Sequence, residues 1–157
     1  MSKLKTIEEL ERIRYAAKKL GKNFIFTNGC FDLLHVGHIR NLHDAKQLGG
    51  ILAVAINSDE SLKKLKKLRT SITSQDERAE ILSAFSAVDY VVIFDEPTAD
   101  GIILRLKPDI HAKGTDYTVE TVPERESVLS YGGKIVITGD PKSHSTRDII
   151  KKIRNDV

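Results

Sequence analysis

Four short runs, FIF at 24–26, ILAVAI at 51–56, YVVIF at 90–94 and KIVI at 134–137, are apolar at nearly every consecutive position and are separated by segments of helical period. A strand without a polar face needs helices over both of its sides, which is the situation of parallel strands joined by helical crossovers. The pattern predicts strands at 23–28, 51–57, 89–94, 110–113 and 134–137. Helices are predicted at 6–20, 37–48, 59–67, 75–85, 98–106, 123–131 and 146–154. Thr6-Ile7-Glu8-Glu9 and Ser74-Gln75-Asp76-Glu77 have capping-box spacing, and Ser145 or Thr146 is placed to cap the last helix. The fold class that follows is α/β, a single doubly wound parallel five-stranded sheet with helices on both faces. In such a sheet the ligand crevice lies beyond the carboxyl ends of the strands.

The chain of 157 residues is long enough for one domain with a substantial core, so a single domain over 1–157 is expected. A formal charge of +3, with lysines gathered at 63–67 and near the C-terminus, fits an anionic small molecule better than a nucleic-acid duplex. No apolar run approaches the roughly 20 residues of a membrane span, and the charged N-terminal segment lacks a secretory apolar region. A cytoplasmic protein without membrane partners is expected, and a homodimer with it. The single cysteine, Cys30, excludes an internal disulfide and reads as a small packed side chain.

The loops after the predicted strands hold the polar residues of interest: Thr27 to His38, Asn57 to Asp59, Asp95-Glu96, Lys113 to Tyr117 and Gly139 to Arg147. Neither GxGxxG nor GxxxxGK[ST] is present, so a phosphate would be held in another way. TNGCFDLLHVGH, residues 27–38, offers one. Asn28-Gly29 lets the backbone bend, and the helix starting near Val36-Gly37 aims its free N–H groups at the crevice. Gly37 leaves room for a phosphate, and His35 and His38 add imidazole donors on either side. Two histidines at this spacing are also compatible with a metal site or with packing; a metal would need a third ligand, and the intervening glycine favours phosphate. His43 and His111 read as structural residues. Lys113 and Asp116, on one side of a turn at Gly114, read either as contacts to a second substrate or as an ion pair that fixes the loop.

TNGCFDLLHVGH resembles the HxGH signature of the nucleotidyltransferases, and its fuller form is similar to the cytidylyltransferase-like family. Within that family the chain most resembles the D-glycero-β-D-manno-heptose 1-phosphate adenylyltransferases. NGCFD, Ala55 to Asp59, Lys63 to Lys66, Arg78, Val88 to Val92, Pro108-Asp109, Lys113-Gly114 with Asp116-Tyr117, and Ser145-Thr146 follow the family's order. Two departures stand out: Arg69-Thr70-Ser71 replaces the usual Arg-Pro pair, and Ser145-Thr146-Arg147 the usual Ser-Thr-Thr.

The resemblance implies a Rossmann-like fold and transfer of a nucleoside monophosphate from ATP, or CTP, to a sugar or polyol phosphate, with Mg²⁺ accompanying the triphosphate and no metal held by the protein itself. It implies catalytic roles for His35, His38 and Lys66. Asn28, Gly29, Cys30, Phe31, Gly37, Arg78, Ser145 and Thr146 would contact the nucleotide, and Asp32, Lys113, Gly114 and Asp116 the acceptor. For Arg78 a contact to neighbouring carboxylates is the alternative. A cytidylyltransferase acting on glycerol 3-phosphate, and a nucleotide-binding module without turnover, are the competing functions.

Overall fold

The computed structural model describes residues 2–65, 71–141 and 144–156. Five parallel strands, β1 (Phe24–Gly29), β2 (Ile51–Asn57), β3 (Tyr90–Phe94), β4 (Ile110–Gly114) and β5 (Lys134–Thr138), form one sheet in the order β3-β2-β1-β4-β5. The helices are α1 (Ile7–Lys19), α2 (Val36–Gln47), α3 (Asp59–Leu65), α4 (Gln75–Ala84), α5 (Asp100–Leu106), α6 (Arg125–Ser130) and α7 (Thr146–Asp156). The chain winds outward from β1 to β3, then returns to β4 on the other side of β1. The strand order therefore reverses between β1 and β4, and a crevice opens there.

Period-two alternation sorts the strand side chains onto two cores. Phe24, Phe26, Ala53, Ala55, Val92 and Phe94 face α1, α5 and α6, where they meet Leu10, Ile102, Ile103, Leu106 and Val128. Ile25, Leu52, Val54, Ile56, Val91 and Ala112 face α2 and α4, where they meet Leu42, Ala45, Ala79 and Leu82. Apolar burial on both sheet faces is the main favourable contribution to such a fold.

Both capping boxes form: Thr6 accepts from Glu9 N–H at the start of α1, and Ser74 from Glu77 N–H at the start of α4. Predicted elements are recovered with shifted ends. The segment before α5 becomes helical only at Asp100, and α6 is one short stretch from Arg125, because Pro97 and Pro123 lie in the turns that precede them. The helix predicted at 59–67 is described through Leu65, and its last two residues lie outside the described ones. Among the described residues no helix is long and apolar enough to cross a membrane.

At the amino edge of the sheet, two aspartates do equivalent work. Asp89 accepts from Leu52 N–H of β2 at 2.7 Å and from the Lys46 ammonium; Asp109 accepts from Phe24 N–H of β1 at 2.8 Å and from the Arg14 guanidinium at 2.7 Å. Each strand's first residues are thereby tied to a neighbour by a charge-assisted bond. Residues 3–5 run beside β3, with Lys5 N–H donating to Val91 O and Val91 N–H to Lys3 O, both at 2.9 Å. Asp109→Ala leaves Phe24 N–H and Arg14 without their acceptor. It is expected to cost about 2 kcal/mol, lowering the thermal midpoint by roughly 4–8 °C in a chain of this size, as scanning calorimetry would measure.

Candidate active site

The turn after β1 brings the two histidines to the switch point. Phe31 adopts φ +48°, a left-handed conformation uncommon for an aromatic residue, and the chain reverses there. Its buried ring packs against Gly29, where an added Cβ would lie 3.0 Å from the ring, and against the His38 ring with centroids 5.4 Å apart. His35 is the N-cap residue of α2, and its ring lies over that of His38 with centroids 3.9 Å apart. Gly37 lines the wider cleft, and a Cβ there would stand 3.0 Å from Cε1 and Nδ1 of His35, so the glycine also leaves room for that ring.

The backbone fixes the tautomer of His38. His35 N–H donates to His38 Nδ1 at 3.3 Å, so the ring's own proton sits on Nε2. Burial, and then the adjacent His35 imidazole, push the His38 pKa down to about 4 against the opposing pull of Asp116. At neutral pH His38 is thus an uncharged ring with one N–H donor available at Nε2.

On the α1/α5/α6 face, the core turns polar at the carboxyl ends of β1 and β4. Asn28 follows Phe26 by two residues and Lys113 follows His111 by two, so all four side chains share that face. Asn28 Oδ1 accepts from His111 Nε2 at 2.9 Å and from Lys113 Nζ at 3.1 Å, while Asn28 Nδ2 donates to Glu124 Oε1 at 3.0 Å. Lys113 also donates to both carboxylate oxygens of Glu124 at 3.1 Å. Lys113 and Glu124 are 7% and 4% exposed, so the ammonium is charge-compensated in the interior. Burial alone would raise the Glu124 pKa; the Lys113 ammonium and the Asn28 amide outweigh it and hold the group as a carboxylate. Burial, and then the Lys113 charge, push His111 down to about 4, so this residue is a neutral donor to Asn28.

Two clefts open on these groups. The narrower, of about 450 Å³, has Asn28, Lys113 and Glu124 at its polar side and Phe94, Pro97, Tyr117 and Pro123 among its apolar walls. The wider, of about 750 Å³, runs from His35 and Gly37 to the loop after β5 and the start of α7. His38, Asn41, Gly114 and Asp116 line both, and form the neck between them.

The residues singled out from the sequence distribute unevenly over this crevice. Gly29, Cys30 and Phe31 line the narrower cleft together with Asn28. Ser145 and Thr146 line the wider one; Ser145 Oγ accepts from Asp148 N–H at 3.1 Å, which makes it the cap of α7, and Thr146 Oγ1 donates to Leu33 O at 3.0 Å. Arg78, expected at the triphosphate, is fully buried: Nη1 donates to Cys30 O and Asn57 O and Nη2 to Asp59 Oδ1, all at 2.8 Å. This is the alternative in which a neighbouring carboxylate takes the guanidinium. Asp32, expected at the acceptor, is turned away from both clefts; its Oδ1 accepts from Ser71 Oγ, Ile72 N–H and Thr73 N–H at 2.9–3.1 Å. Burial alone would raise the Asp32 pKa, but the bonds from Thr73, Ser71 and Ile72 hold it below the usual carboxylate value. Lys113 pairs with Glu124, not Asp116, because Glu124 enters the same buried face from the turn before α6. Lys66 lies outside the described residues, as do Arg69 and Thr70.

Sequence reasoning missed Glu124 and Asn41 and left His111 as structural. Asn41 had a usable signal, since three residues after His38 on one helix means the same face. A buried lysine calls for a carboxylate, but nothing in the spacing of Lys113 and Glu124 identifies which.

The bifunctional proteins HldE of Syntrophotalea carbinolica and Geobacter sulfurreducens are each 45% identical to this chain over 152 residues, 97% of it. The chain spans 31% of the length of these relatives. Among solved structures, the lipopolysaccharide core biosynthesis protein of Thermoplasma volcanium superposes with a TM-score of 0.65 at 27% identity, over 78% of this chain and 100% of that one. A pantoate-beta-alanine ligase of Francisella tularensis, 16% identical, shares the fold with a TM-score of 0.63 over 99% of this chain and 77% of its own. The model of one family, cytidylyltransferase-like, matches residues 26–152, from within β1 into α7, and so takes in all five strands and both clefts: the chain belongs to the cytidylyltransferase-like family.

Proposed function

We propose that this chain transfers the adenylyl group of ATP to a sugar 1-phosphate, D-glycero-β-D-manno-heptose 1-phosphate, and releases pyrophosphate. The observation that carries the reading is the pair of clefts that meet at His38, since two substrates in separate lobes would present their reacting groups to each other at that neck. Family membership supports nucleotidyl transfer, and the motif resemblance to the heptose 1-phosphate enzymes supports the acceptor.

An oxygen of the acceptor phosphate attacks the α-phosphorus of ATP. The bond from that phosphorus to the bridging oxygen breaks, and pyrophosphate leaves with the electron pair. Both anions are already deprotonated, so the residues position the reactants and stabilise charge rather than move a proton. His38 donates Nε2–H to a non-bridging oxygen of the transferring phosphate. His35, at the start of α2, belongs with the triphosphate in the wider cleft, as do Ser145 and Thr146. Lys66 is assigned to the same triphosphate. Among the described residues no group of three His, Cys, Asp or Glu side chains could enclose a metal. Mg²⁺ would accompany the triphosphate, with the Asp116 carboxylate at the neck as a residue that would help hold it, and would supply neutralisation of phosphate charge.

In the narrower cleft the compensated Lys113–Glu124 pair and Asn28 suit neutral hydroxyls better than a second phosphate. Ammonium and amide protons donate to hydroxyl oxygens, the carboxylate accepts from hydroxyl protons, and the apolar walls cover a sugar face. This moves the role of Lys113 from the acceptor's phosphate to its hydroxyls.

Pyrophosphate release, measured with each nucleoside triphosphate against a panel of sugar and polyol phosphates, tests the function. ATP with the heptose 1-phosphate is expected to be fastest, and CTP with glycerol 3-phosphate being fastest would replace this reading by a cytidylyltransferase. His38→Ala should lower kcat on the order of a hundredfold or more with little change in melting; near-parental kcat would remove His38 from the mechanism. Glu124→Gln should raise the KM for the acceptor on the order of tenfold while ATP affinity stays within a factor of about three. An equal loss for both substrates would contradict the assignment of the narrower cleft.

The pH dependence has a defined sign. The unfolded His38 imidazole binds a proton near its ordinary value of 6.5 and the folded one only near 4. Stability from this residue is thus in place above about pH 6.5 and is lost as pH falls toward 4. In an NMR titration of the ligand-free protein, the His38 ring should stay neutral down to about pH 4. A midpoint at 6 or above would contradict the buried neutral donor.

A further inference from the structure

α2 is fastened along one side to the strand and loop that close the wider cleft. Arg40 pairs with Asp140, Asn41 Oδ1 accepts from Thr138 Oγ1, and Asp44 accepts from Gly139 N–H at 3.0 Å. Gly139 has φ +89°, and a Cβ there would come within 3.2–3.3 Å of Asn41 Cβ and Cα, so the loop can pass this close to the helix only as glycine. Thr138 is 5% exposed and sits at the end of β5, so its hydroxyl is held in place by the sheet.

This fastening sets the direction of the Asn41 amide. With Oδ1 engaged by the Thr138 hydroxyl, the opposite side of the amide plane, Nδ2, carries two donors and no acceptor. Nδ2 lies above Gly114, 3.8 Å from where a Cβ on that residue would be. Gly114 and Asn41 line both clefts, as do His38 and Asp116. Asn41 follows His38 by three residues on α2, so the two side chains stack one turn apart on the face that looks into the neck.

We propose that Asn41 is a further catalytic residue, whose Nδ2–H donates to the transferring phosphate beside His38 Nε2–H, with Thr138 as the positioning residue that orients it. The inference rests on the nucleotidyl-transfer reading, and adds to it a second uncharged donor at the neck. A donor preset by the fold acts on charge as it develops in the transition state and needs no rearrangement at that moment.

The competing role is a tether between α2 and β5 with no contact to substrate, and two substitutions separate the roles. Asn41→Asp keeps an oxygen for the Thr138 hydroxyl and removes the N–H donors. Asn41→Leu removes both without adding charge. As a catalytic donor, both variants lose on the order of a hundredfold in kcat, while ATP affinity changes by less than about tenfold and the Asp variant melts near the parent. Thr138→Val should cost kcat roughly tenfold at unchanged acceptor KM, and Thr138→Ser, which keeps the hydroxyl, should recover it. Parental kcat in Asn41→Asp would make the residue a tether, and parental kcat in Asn41→Leu would reduce any loss in the Asp variant to charge repulsion; either overturns the proposal. A parent protein that releases no pyrophosphate with any triphosphate overturns the transferase reading and this inference together, whereas an active parent with an active variant overturns this inference alone.

Discussion

The crevice depends on one buried cation. Arg78 is fully enclosed, and its guanidinium joins the carbonyl of Cys30 after β1, the carbonyl of Asn57 at the end of β2 and the carboxylate of Asp59 at the start of α3. Nη1 and Nη2 are met by these acceptors while Nε has no partner among the described residues, and removal of one member of such a buried set commonly costs about 3–5 kcal/mol. The planar fork suits the task, because two carbonyls and a carboxylate are held at fixed mutual angles. Asp32 repeats the device on the neighbouring segment by gathering the 71–73 backbone onto the first turn. Two charged side chains that look like ligand contacts in the sequence are therefore the braces that give the first turn its shape.

That shape carries strain. Phe31 holds a left-handed backbone that costs an ordinary residue about 1–2 kcal/mol, and its buried ring, pressed between Gly29 and His38, repays it through packing. The result is a His38 ring wedged between Phe31 and His35 and desolvated enough to stay neutral. Beside the Asp116 carboxylate the neck presents the neutral His38 ring and the Asn41 amide, and the ammonium of Lys113 is compensated by Glu124. Uncharged donors lose less on leaving water than cations do.

Much of the fold was legible because its signals are local. Doubly apolar strands, helical periods and two capping boxes name the elements, and the alternation names the parallel sheet. The strand-end loops and the histidine turn followed from the same logic. What was not legible is long-range. Arg78 and Asp32 carry charges in the loops where a phosphate site was expected, and only the third dimension shows that backbone groups from residues 30 and 57, and from 71–73, claim them first. Glu124 reaches Lys113 across a turn whose path the sequence does not set. Gly37, read from the sequence as making space for a phosphate, also leaves room for the His35 ring.

The strand order leaves β3 and β5 as the two margins of the sheet, and they are not alike. Along β3, residues 3–5 already occupy the free hydrogen-bonding groups around Val91 through Lys5 N–H and Lys3 O. A partial extra strand of this kind blocks edge-to-edge association of the sort that leads to β-aggregation, and the lysines on it discourage a second chain from approaching. Removal of residues 1–5 would leave the turn at His35 and the core intact on paper, yet uncover a short, strongly apolar strand during folding. The self-association hazard of this chain is thus set at the margin farthest from its chemistry.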